Sequence, residues 1–222
     1  MGTSVRLQRP DGGTCDAYFV EVPGARAAVV VIQEWWGLND QVRSIVDYFA
    51  QQGFHALAPD LYHGRMASDA DEASHLMNHL DFAQATHQDL RAAVSFLKEK
   101  VGHVGVTGFC MGGALTIAAG VHLAAEIQAA SCFYGIPPAE FADPAKITIP
   151  FQGHFADRDA WITPEKVDAL QVALKNATQD VEIYRYPADH AFVNQTRPEV
   201  YEAEYARQAL ERTTSFFRKH LV

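Results

Sequence analysis

Cysteine is scarce in this 222-residue chain, whose three thiols are Cys15, Cys110 and Cys132. An odd, sparse set without paired spacing excludes a disulfide framework and predicts a reducing compartment. Basic residues are also few: 18 Lys and Arg stand against 27 Asp and Glu, a net charge of −9. Phosphate binding needs a basic face, so nucleic acid is excluded as the main partner, although one local arginine can still meet a small anion. No apolar run approaches the length of a membrane span, and the first residues lack a charged-then-apolar leader pattern. The expectation is a cytoplasmic protein with no membrane partner. Linkers, repeats and low-complexity tracts are absent too, so residues 1–222 read as one domain. At 48% hydrophobic and 20% charged residues, the chain has ordinary globular composition and can bury a large core.

What is present is alternation. Short apolar strands take turns with amphipathic helices, which predicts an α/β fold with a mostly parallel central sheet and helices on both faces. Ala27–Ile32 is an unbroken apolar run suited to a strand buried on both sides. Further strands are expected at 54–58, before Cys110, and at 129–134, 147–152 and 181–186. Helices are expected at 41–52 (capped by Asp40 and ended by Gly53), 87–100, 111–121 and 198–220, the last with Pro198 in its first turn. Asp11-Gly12-Gly13 suits a hairpin turn within the first 22 residues. Leu61–Asp81 is the least regular stretch. It reads as a loop plus a short helix that follows a strand and partly covers the sheet edge where α/β ligands bind.

Gly108-Phe109-Cys110-Met111-Gly112 has the spacing of a nucleophile elbow. A strand that turns at once into a helix strains its central residue, so the positions two before and two after must be small. A thiol there needs a base, a group that orients the base, and oxyanion donors. Downstream lie His154-Phe155-Ala156-Asp157-Arg158-Asp159-Ala160-Trp161-Ile162 and then Pro187-Ala188-Asp189-His190-Ala191-Phe192. Both follow expected strands, and they supply acid and histidine in the order nucleophile, acid, histidine.

With these segments the chain resembles the dienelactone hydrolase family, the cysteine branch of the α/β-hydrolase fold, from the Ala27 strand to its end. The motifs that carry the likeness are Gln33-Glu34-Trp35-Trp36-Gly37-Leu38-Asn39, Gly108–Gly113, Asp159-Ala160-Trp161-Ile162 and Asp189-His190-Ala191-Phe192. The resemblance implies a triad of Cys110, Asp159 and His190, and an oxyanion hole from the backbone amides of Trp35 and Met111. It implies that Glu34 sits beside the nucleophile, holds the resting thiol away from the histidine and helps activate it when substrate arrives. Asp157 and Asp189 compete for the acid role, and the spacing to Trp161-Ile162 favours Asp159.

The match departs in the substrate grip. Family members that cleave the carboxylate-bearing lactone are expected to hold it with arginines. One falls four residues after the histidine, where this chain has Asn194, and another in the 61–81 segment, whose one arginine is Arg65. An amide cannot replace a guanidinium as a bidentate partner. Arg65 or Arg197 can compensate, and Arg197 fits equally well as a surface residue. Trp36, Tyr134, Trp161 and Phe192 join Trp35 as candidates for an apolar pocket.

The function this implies is hydrolysis of a small ester or lactone through a thioester, with altered substrate preference. No metal or cofactor is expected, and the state is a monomer or small homo-oligomer. The alternative is a small-molecule binding or sensing protein that keeps the fold and the reactive thiol but turns over little. His75 and His79, four apart on an expected helix, lack the glutamate of a zinc motif and read as surface histidines. Cys132 reads as an inert buried thiol, and Cys15 has no visible partner.

Overall fold

The apolar run at 27–32 forms the third of eight strands in one sheet. In a computed structural model, which describes residues 2–178 and 180–222, the strands are β1 (Thr3–Gln8), β2 (Thr14–Val20), β3 (Ala27–Ile32), β4 (His55–Pro59), β5 (His103–Phe109), β6 (Ala129–Phe133), β7 (Phe151–Ala156) and β8 (Val181–Tyr186). Their order is β1-β2-β4-β3-β5-β6-β7-β8. The first two are antiparallel additions at one edge, and β4 through β8 with β3 run parallel. Arg9 and Gly13 close the first hairpin around Gly12, whose φ of 87° needs a glycine.

The helices are α1 (Asp40–Gln51), α2 (Ala70–Asn78), α3 (Phe82–Gln84), α4 (Arg91–Lys98), α5 (Met111–His122), α6 (Pro164–Ala177) and α7 (Ala203–Leu221). The pleat of β3 explains its composition. Ala28, Val30 and Ile32 enter the core under α4, α5 and α6, whereas Ala27, Val29 and Val31 enter the core under α1 and α7. Both layers are therefore apolar, and alternation disappears from the sequence although it persists in space. Helix α5 is buried from Met111 through Gly120, which its run of Gly and Ala permits.

Several element boundaries differ from expectation. Asn39, not Asp40, caps α1, with its side-chain oxygen accepting from the Val42 amide at 3.1 Å. The helix expected from 87 begins earlier, where Asp81 caps α3, and a π-helical turn over Ala85–Leu90 joins α3 to α4. The strand expected from 147 begins at Phe151, because Pro144–Lys146 form a single 3₁₀ turn and Pro150 has no amide to give a ladder. The last helix starts at Ala203 and excludes Pro198. Val200 and Tyr201 donate back to the Arg197 carbonyl, and Glu202 donates to Phe192 at 3.0 Å, which pins the chain in a turn first. No helix among the described residues is long and apolar enough to cross a membrane.

Candidate active site

Steric contact selects the glycines around Cys110. A Cβ at Gly108 would overlap the backbone of Gly112, one at Gly112 the carbonyls of Ile32 and Gln33, and one at Gly113 the carbonyl of Phe133. The turn from β5 into α5 is thus packed backbone to backbone, which leaves Cys110 at φ 56° and ψ −115°. Such a conformation costs on the order of 1–3 kcal/mol for a residue with a Cβ. Its amide donates to Phe133 at 3.1 Å, and its carbonyl accepts from Ala114 at 3.1 Å. Gly135, which carried no signal in the sequence, closes the same junction: a Cβ there would overlap the Cys110 carbonyl and the Ala114 amide.

Among the described residues, four non-glycines have positive φ: His63, Cys110, Tyr134 and Ala191. The last three line one cavity of about 430 Å³. Glu34, Trp35, Met111, Trp161 and His190 line it as well. Ser74 and Met77 of α2, with Phe82, form one wall, so the 61–81 segment does cover the sheet edge in part. Ile136, Pro137 and Pro138 form another, and Arg197 supplies a cation.

Asp159 stands behind His190. Its Oδ2 meets His190 Nδ1 at 2.6 Å, and its Oδ1 accepts from the amides of Trp161 and Ile162 at 2.8 and 2.9 Å. Burial opposes charge on Asp159, but these bonds hold its pKa below the usual carboxylate value. Burial also opposes charge on His190. The hydrogen bond to Asp159 and the neighbouring Cys110 sulfur overcome it and raise the imidazole to about 10. Trp161 and Tyr134 each place a ring 5.0 Å from that imidazole. Asp157 is exposed, and Asp189 is taken by a bidentate pair with Arg158 at 3.2 and 3.0 Å.

Glu34 is buried, with its pKa raised chiefly by desolvation. Its oxygens accept from Tyr134 Oη at 3.2 Å and from Asn194 Nδ2 at 2.7 Å. Asn194 is therefore a buried partner of Glu34, not part of the cavity wall, and its own oxygen is held by Thr196 at 2.6 Å. Phe192 is likewise buried, packed on Tyr134 and Tyr186, and neither Trp36 nor Arg65 lines the cavity. Trp36 instead lies 6.0 Å from the Arg197 guanidinium. Tyr62, also without a sequence signal, donates to the Trp35 carbonyl at 3.0 Å and to Met111 Sδ at 3.4 Å, bridging the loop after β3 to the start of α5. The amides of Trp35 and Met111 donate to no group among the described residues.

A mostly parallel eight-stranded sheet, with a strained cysteine at a strand-to-helix elbow and an acid and a histidine on later strand ends, defines an α/β-hydrolase fold. The chain belongs to the dienelactone hydrolase family, whose profile it matches over residues 15–221. It is 32% identical to a protein of Aquifex aeolicus provisionally named a carboxymethylenebutenolidase, each covered over its full length. It is 34% identical to protein usf of Aquifex pyrophilus, again over the whole of both chains. Among solved structures, a provisionally named dienelactone hydrolase of Klebsiella pneumoniae superposes with a TM-score of 0.87 at 25% identity, over 99% of each chain.

Proposed function

We propose that this hydrolase cleaves small esters or lactones with Cys110 as nucleophile, through a thioester acyl-enzyme. The observation that carries the reading is the convergence of Cys110 and the Asp159-backed His190 on one cavity. In the proposed cycle His190 takes the Cys110 proton as sulfur attacks the carbonyl carbon. The Asp159 carboxylate, 2.6 Å from Nδ1, orients the imidazole for that transfer and stabilises the imidazolium that forms. The amides of Trp35 and Met111, with no acceptor among the described residues, stabilise the tetrahedral oxyanion, each worth about 3 kcal/mol. The carbon–oxygen bond then breaks, and His190 returns its proton to the leaving oxygen. Water, deprotonated by His190, hydrolyses the thioester.

Glu34 joins this machinery as a buried carboxyl beside the nucleophile. A negative charge there disfavours free thiolate, so the protonation of Glu34 sets how readily Cys110 ionises. The cavity wall is mostly apolar with Arg197 as its cation, which supports an uncharged or singly anionic substrate.

The test is the ratio of kcat/KM for cis-dienelactone to that for an uncharged aryl ester, in the parent, Cys110→Ala and Arg197→Ala. Loss of both activities in Cys110→Ala is expected, with Arg197→Ala lowering only the rate on the charged lactone. Unchanged ester hydrolysis by Cys110→Ala overturns the assignment. Acylation of Cys110 without release would instead favour a binding or sensing role.

A further inference from the structure

On the β2–β4 side of the sheet, three residues from distant parts of the chain come together. Cys15 lies on β2, His63 in the turn after β4, and Asp89 on the π-helical turn before α4. The Cys15 thiol, a His63 ring nitrogen and an Asp89 carboxylate oxygen all lie within 4.8 Å of one another. We propose that this cluster is a binding site for a thiophilic divalent cation of the zinc class, held by Cys15 Sγ, His63 Nε2 and Asp89 Oδ2, with water as fourth ligand.

Four observations carry the assignment. His63 Nε2 and Asp89 Oδ2 stand 3.6 Å apart, too far for a hydrogen bond and near the roughly 3.4 Å that separates tetrahedral N and O ligands of zinc. Asp89 is 1% exposed, and its other oxygen has no hydrogen-bond partner among the described residues, so the buried carboxylate is held by ion pairs alone. That oxygen faces Arg9 Nε at 3.5 Å, which is itself unpartnered and orients the carboxylate from behind. Finally, among the described residues His63 is the one non-glycine of positive φ outside the cavity, at φ 49°, and Asp89 lies on a rare π-helical turn. Backbone strain such as that at His63, and π-helical turns, both recur at functional sites.

The charges balance. Thiolate and carboxylate together neutralise a divalent ion, and Arg9 is already turned to Asp11, 2.6 Å away. Asp60 adds a further acidic group beside Cys15. Binding releases the Cys15 proton to solvent, so affinity rises with pH. The His63 side chain is 44% exposed, which gives the ion a route in while Cys15 and Asp89 stay covered. Such an ion would clip the N-terminal hairpin to the turn after β4 and to the helix behind it.

The experiment is titration of the chelator-treated protein with Co²⁺, in a Cys110→Ala background that removes the more exposed thiol. One cobalt per chain with a thiolate-to-cobalt absorption band is expected. Cys15→Ser should abolish the band. His63→Asn, which tolerates positive φ and leaves the fold intact, should weaken binding at least 10-fold. A paired His75→Ala, His79→Ala variant should bind as before. Absence of the band, or binding unmoved by His63→Asn, would overturn the proposal and leave the cluster as an ion-pair network only.

Discussion

Replacing Gly135 by alanine tests whether the elbow is held by backbone contact. The added Cβ would overlap the Cys110 carbonyl and the Ala114 amide and stand 2.8 Å from Gly113 C. None of these is a flexible side-chain end, so relief requires β6 and the first turn of α5 to part. Overpacking of this kind costs about 1–3 kcal/mol. For a chain of 222 residues that lowers Tm by roughly 2–12 °C. Moving Cys110 and the Met111 amide by near 1 Å should cost about 100-fold in rate. Calorimetry and ester-hydrolysis kinetics read the two effects separately. Gly102→Ala is the control, since a Cβ there meets nothing within 4 Å, and it should leave Tm and rate unchanged or raise Tm slightly. If Gly135→Ala matches Gly102→Ala in both, the steric account of the elbow is wrong.

Asp159→Asn should lower kcat about 10³–10⁴-fold with little change in secondary structure, because the imidazole loses both its orientation and its counter-charge; a loss below tenfold in ester kinetics would contradict that role. His190 is more basic in the fold (about 10) than the ordinary value of 6.5. The folded state therefore binds more protons in that window, and the resulting stability is full below pH 6.5 and is lost as pH rises through 10. Urea titrations from pH 6 to 10 should show the gap between parent and His190→Gln narrowing as pH rises; a widening gap would reverse the sign. Asn194→Ala removes the 2.7 Å donor from a buried carboxylate, which should cost about 1–3 kcal/mol and let Glu34 hold its proton to higher pH. Its pH–rate profile should shift accordingly, and an unshifted profile would place Glu34 outside the chemistry.

Local rules made much of this protein legible before any coordinates. The two-layer burial of β3, the amphipathic α1 and the Gly108–Gly113 elbow depend on neighbours within a few residues, so periodicity and small-residue spacing report them directly. Boundaries failed where a distant contact outweighed propensity. Pro198 suits a helix start, yet the Glu202 bond to Phe192 holds that segment in a turn. Asn194 looked like a lost substrate anchor because its position along the chain was visible and its direction was not. In the fold its amide turns inward to Glu34.

The sequence by itself determined the class of sheet, the elbow and the chain order of cysteine, acid and histidine, because each is written in residues close together or in their succession. Tertiary structure alone decided which side chains share a space. Strand order sets β3 beside β5, which brings Glu34 and Trp35 to Cys110, and it sets β6 next, which brings Tyr134 and Gly135. The same crossing of distant elements gathers Cys15, His63 and Asp89. Such neighbours are fixed by the packing of whole layers, a sum over many weak contacts that no short stretch of residues contains.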